Sequence, residues 1–64
     1  MTDKNMIVEI DGEEMKCRMV YGRENRLIAY SDGYPVAEHT FKSGVAPIKR
    51  AILTANGHKY KRVG

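Results

Sequence analysis

Short apolar runs separated by paired turn residues predict strands over most of this chain. Met6-Ile7-Val8-Glu9-Ile10 is β-branched and brief, and Asp11-Gly12 follows as a turn whose glycine accepts positive φ. From Glu14 to Tyr21, Met15, Cys17, Met19 and Tyr21 alternate with Lys16, Arg18 and Val20. That period of two marks a strand with one buried and one wet face. Gly22-Arg23-Glu24-Asn25 reads as a connection and Arg26 to Ser31 as a third strand. Asp32-Gly33 repeats the turn signal before a fourth strand from Tyr34 to Phe41, where Pro35 is tolerable only at a strand start or edge.

The segment from Ala46 to Asn56 fits either regular state. As a helix over 47–55, Ile48, Ala51, Ile52 and Ala55 share one face, with Pro47 in the first turn and Gly57 just past the end. As a strand, neither face is cleanly apolar, so the helix is the preferred reading. The rival is a hairpin through Asn56-Gly57. His58 to Val63 closes the chain as a strand. The expected fold is therefore α+β, a small antiparallel sheet in the order β-β-β-β-α-β with one helix on one face. The alternative is a small SH3-like all-β barrel, which requires the Asn56-Gly57 hairpin. Residues 1–5 read as a loose tail ahead of a single domain spanning 1–64.

Length limits what such a domain can do. A chain of 64 residues buries only about 60% of the surface its unfolded form exposes, which leaves little core to wall off a deep cleft. Binding is favoured over catalysis. Cys17 is the single cysteine, so a disulfide framework is excluded and a reducing, cytoplasmic setting is expected. The longest apolar run, Leu27-Ile28-Ala29-Tyr30, is far too short to span a bilayer. Residues Met1 to Asn5 lack the charged-then-apolar order of a signal peptide, so neither secretion nor membrane insertion is expected.

Charge then divides the chain. Residues 1–38 carry five lysines and arginines against eight acids, whereas residues 39–64 carry Lys42, Lys49, Arg50, Lys59, Lys61 and Arg62 with no acid at all. An uncompensated cationic half points to an anionic partner. Its densest stretch, His58-Lys59-Tyr60-Lys61-Arg62, mixes phosphate-neutralising side chains with an aromatic ring able to stack on a base. On a strand this run splits, with Lys59 and Lys61 on one side and His58, Tyr60 and Arg62 on the other. Arg23, Arg26 and Tyr34 are candidate extensions of the surface, and Leu53 is a candidate apolar anchor for a protein interface.

Catalytic and metal chemistry find less support. Cys17, His39 and His58 are potential ligands, but their spacing matches no local ligand motif, so no metal site and no cofactor is expected. The two histidines are expected at strand ends facing water, and Cys17 as a small hydrophobe between Met15 and Met19. No nucleophile elbow, paired-carboxylate motif or phosphate-binding glycine loop occurs. The order strand, Ser31-Asp32-Gly33, strand ending in His39, then Pro47 to Gly57 resembles the C-terminal half of HicA-type mRNA interferases. That resemblance implies a double-stranded-RNA-binding-like sheet and helix. The family's Gly-Ser-His segment and N-terminal helix have no counterpart here, so no catalytic residue carries over.

Three functions follow as expectations. The first is a non-enzymatic module, monomer or homodimer, that contacts nucleic acid phosphates through its basic C-terminal half. The second is a phage- or mobile-element-type accessory protein that docks on an acidic surface of a larger protein and inhibits or redirects it. The third is an RNase dependent on His39, retained for the resemblance alone.

Overall fold

The computed structural model describes residues 2–64, with side chains from Asp3 onward. Six strands account for its regular structure: β1 (Thr2–Ile10), β2 (Glu13–Tyr21), β3 (Asn25–Ser31), β4 (Tyr34–Phe41), β5 (Ile52–Ala55) and β6 (His58–Arg62). They form one curled sheet in the order β4-β3-β2-β1-β6-β5, antiparallel throughout. Residues 2–5, expected as a tail, extend β1 and pair with β2 as far as Thr2 opposite Tyr21.

Three two-residue turns set this topology. Asp11-Gly12, Asp32-Gly33 and Asn56-Gly57 each place both residues at positive φ, between 53° and 86°. This is the geometry whose twist matches the flanking strands, and Asp or Asn followed by Gly adopts it at low cost.

No helix forms over 47–55, which overturns the α+β expectation; the all-β alternative fits. The reason lies in the Asn56-Gly57 hairpin and in side-chain parity. Leu53 and Ala55 turn inward against the core while Ile52 and Thr54 face out. A four-residue strand needs only two inward positions, so the lack of a cleanly apolar face over the whole segment was no obstacle. Residues 42–51 are an irregular connection instead, tightened by Val45 N–H donating to the Lys42 carbonyl and Ala51 N–H to that of Ile48, both at 3.0 Å.

The core lies on the concave face. Met6, Val8, Ile10, Cys17, Met19, Leu27, Ala29, Phe41 and Tyr60 are buried there, one set of alternate positions from each contributing strand. Cys17 packs as the small hydrophobe expected of it. Tyr60 is fully buried, edge-on to Phe41 with ring centres 4.9 Å apart. Asn25 is the one buried polar side chain among the described residues, and its amide donates to the Val45 carbonyl at 2.7 Å. That bond holds the 42–51 connection over the end of the core, where Val45 and Ala46 pack.

The sheet curls until β4 approaches the β5–β6 turn and β6, with no backbone ladder between β4 and β5. Across this seam the Asn56 amide donates to the Thr40 carbonyl at 2.9 Å, and the Tyr60 hydroxyl hydrogen-bonds His39 Nδ1 at 2.7 Å. Among the described residues, no helix is long and apolar enough to cross a membrane.

Candidate interaction surface

Four of the predicted cations converge. Lys49, Arg50, Lys61 and Arg62 line one shallow cleft with Val63. The last strand brings Lys61 and Arg62, and the 42–51 connection brings Lys49, which bridges to Arg62 in parallel. Glu9 faces Lys61 across the β1–β6 ladder, yet the ion pairs found among the described residues are Arg18 with Asp3 and His58 with Asp11. Arg62 Nε donates to the Gly64 carbonyl at 3.1 Å, and none of the four cleft cations is ion-paired with an acidic side chain among the described residues.

Exposed apolar side chains flank these charges. Ile48 and Ile52 are each 67% exposed and Val63 40%. The two isoleucines bracket the turn that carries Lys49 and Arg50, and Ile52 lies opposite Lys61 in the β5–β6 register. A branched apolar pair left in water beside a ring of cations has the composition of an interface centre with a polar rim.

Arg50 adds a backbone signal. Its φ is +66°, and the other described non-glycine residues at positive φ are Asp11, Asp32 and Asn56. Those types tolerate the left-handed region through local side-chain hydrogen bonds, while arginine there is strained. Strain of this kind persists where the surroundings impose it and is concentrated at functional positions.

The edge of the sheet completes the surface. Counted from the Asn56-Gly57 turn, the antiparallel alternation turns the N–H and C=O of Ile52 and Thr54 away from β6. β5 is thus a short edge with free backbone groups beside the cationic cleft.

Other predicted contact residues lie elsewhere. Lys59 is on the outer face opposite Thr54, and Lys42 sits beyond the end of β4. Arg23 and Arg26 are separated from the cleft along the sheet by β1 and β2, and Tyr34, 73% exposed, occupies the β3–β4 hairpin. Leu53 is half-buried and turned inward, and the exposed apolar side chain beside it is Ile52, which helical spacing places on the shared apolar face. Tyr60 has no accessible ring to offer a base.

A wider groove opens on the outer face of β1–β3, lined by Ile7, Lys16, Arg18, Tyr30, Asp32 and Gly64 among others. Arg18 is already paired with Asp3, and Asp32 stands in the same rim.

The histidines, expected at strand ends facing water, lie at the start of β6 and near the end of β4, and they also touch each other. His39 from β4 and His58 from β6 stack edge-to-face with ring centres 5.3 Å apart. Asp11, in the β1–β2 turn, accepts from His58 Nδ1 at 2.6 Å and from the Lys59 N–H at 3.0 Å. These bonds, His58 first, hold the Asp11 carboxyl below its ordinary value. Burial, with help from neighbouring His58, pushes His39 below the ordinary histidine value, against a smaller opposing pull from Asp11. Curling of the sheet brings these strands together, and residue spacing carries no trace of it.

No protein-family model, curated protein or solved structure matches the chain. The helix on which the likeness to the C-terminal half of HicA-type interferases rests is absent.

Proposed function

We propose that this protein is a docking module that binds an acidic surface of a larger protein through the Lys49/Arg50/Lys61/Arg62 cleft, with Ile48 and Ile52 as apolar anchors. The observation that carries this reading is the placement of two isoleucines, each two-thirds exposed, beside four cations that form no ion pair with an acidic side chain among the described residues. Cations steer the encounter and set orientation, while burial of the isoleucines supplies much of the affinity. Fully burying one such side chain is worth roughly 1.5–3 kcal/mol. The free edge of β5 offers backbone hydrogen bonds in addition.

Contact with nucleic acid through the same cations is the competing reading. It is weakened by burial of Tyr60, the ring expected to stack on a base, and by the isoleucines, which a phosphate backbone does not use. Small size and a surface of this kind suit an accessory protein that inhibits or redirects its target. The buried, unpaired Cys17 is in keeping with a cytoplasmic setting.

Affinity capture from nuclease-treated lysate tests the proposal. Wild-type protein is expected to retain an acidic protein that an Ile48→Ser/Ile52→Ser variant releases. Equal retention by the variant, or recovery that disappears with nuclease, contradicts it.

A further inference from the structure

β5 is the unguarded edge of the sheet. Its residues Ile52-Leu53-Thr54-Ala55 carry no charge and no proline, and they pair with β6 in continuous register. The opposite edge, β4, has Pro35 as its second residue, Glu38 in its length and a register shift against Ala29 and Tyr30, and its Thr40 carbonyl is taken up by the Asn56 amide. Those devices keep a strand edge from accepting another strand. β5 shows none of them.

The backbone of Thr54 is open for a specific reason. Lys59 stands opposite it in the β5–β6 register, and there the Lys59 N–H donates to the Asp11 carboxylate at 3.0 Å while the Lys59 carbonyl accepts from the Asp11 N–H at 2.9 Å. Both groups of Lys59 thus face β1, so Thr54 has no ladder partner in β6. Ile52, two residues earlier, repeats the outward direction. Each of the two residues presents an N–H and a carbonyl beside the exposed Ile52 side chain.

Charge selects the occupant. The four cations of the cleft lie past the Ile52 end of this edge, where Lys49 bridges to Arg62 and Ile52 pairs with Lys61. A second copy of this chain would bring four more cations to the same edge, and like charge disfavours it there.

We propose that the partner presents an extended segment that adds to β5 as a further, antiparallel strand, with apolar residues alongside Thr54 and Ile52 followed by acidic residues that enter the Lys49/Arg50/Lys61/Arg62 cleft. The inference rests on the docking reading above and narrows the partner from an acidic surface to one strand with a direction. Every strand pair in the sheet is antiparallel, and an antiparallel neighbour passes Thr54 before Ile52. Its C-terminal side therefore reaches the cations. Main-chain hydrogen bonds to Ile52 and Thr54 supply affinity independent of sequence, while Ile52 and the cations select apolar residues and acids in that order.

Fluorescence anisotropy tests direction and edge together, with a synthetic peptide of alternating valine and threonine that ends in a run of glutamates. The full chain is expected to bind it about tenfold more tightly than a peptide of the same composition with the glutamates first. Thr54→Pro removes the outward N–H, which takes no part in the β5–β6 ladder, and should weaken binding about tenfold, whereas Thr54→Val should bind like the wild type. Equal binding of the two peptides, undiminished binding by Thr54→Pro, or no binding by the wild type overturns the proposal. Should Thr54→Pro fail to fold, hydrogen exchange of the wild type with the peptide decides. Protection of both the Ile52 and Thr54 amides supports strand addition, and protection of one or neither overturns it. Capture from lysate separates the two readings: loss in Ile48→Ser/Ile52→Ser with undiminished capture by Thr54→Pro removes strand addition alone, and equal capture by both variants and the wild type removes the docking reading itself.

Discussion

The hydroxyl of Tyr60 lies 2.7 Å from Nδ1 of His39, and this contact joins one edge strand of the sheet to the strand next to the other edge. Tyr60 is buried beneath it against Phe41, so a single residue fills the core and fastens the seam. Tyr60→Phe keeps the ring and removes the fastening. It is expected to destabilise by about 1 kcal/mol, the usual net worth of such a bond. Tyr60→Ala is expected to cost roughly 3–5 kcal/mol, as for other large aromatic truncations. Urea denaturation of both variants checks the pair of values.

Asn25 tethers the 42–51 connection through the Val45 carbonyl. Asn25→Ala leaves that carbonyl without its partner, at an expected cost of about 1–3 kcal/mol. Amide hydrogen exchange should show the loss concentrated in residues 42–51, because their hold on the core is what the substitution removes.

Cys17 titrates on the alkaline side. Burial raises its thiol above the ordinary value of 9.0, so the folded state holds the proton more tightly than the unfolded one. The resulting stability is fully present below the unfolded value and is lost as pH rises through the folded one. Denaturation midpoints should fall from about pH 8 upward, with a shallower fall in Cys17→Ala. Burial also raises Tyr60, so the variant keeps part of the slope. A thiol reagent at neutral pH is expected to label Cys17 only at the rate at which the protein opens.

Arg50 should show opposite effects on stability and on binding. Arg50→Gly relieves an arginine held at φ +66° and is expected to stabilise by up to about 1 kcal/mol. The same change removes one of the four cleft cations and should weaken capture of the partner. Denaturation and capture measured on one preparation check both signs. Unchanged capture would remove Arg50 from the surface.

Much of the sheet was legible because its determinants are local. The alternation of Met15, Cys17, Met19 and Tyr21 and the turns at Asp11-Gly12 and Asp32-Gly33 give β2 and two hairpins without reference to the rest of the chain. The 46–56 segment was not, because Ile48, Ala51, Ile52 and Ala55 satisfy helical spacing by coincidence. The Asn56-Gly57 turn and the inward demand for Leu53 decide the matter in the folded context. The cations were visible one by one, and the grouping of Lys49 and Arg50 with Lys61 and Arg62 follows from the connection folding back onto β6. The pairing of His39 with His58 depends on curling of the sheet and has no signature in the spacing of residues.

Hydrogen exchange, compared between the free protein and the complex recovered from nuclease-treated lysate, tests the docking surface most directly. The account predicts added protection at the Ile52 and Thr54 amides and over Lys49–Ala51. Protection confined to the Tyr34–Val36 region of the β3–β4 hairpin, or to the outer face of β1–β3, would contradict it.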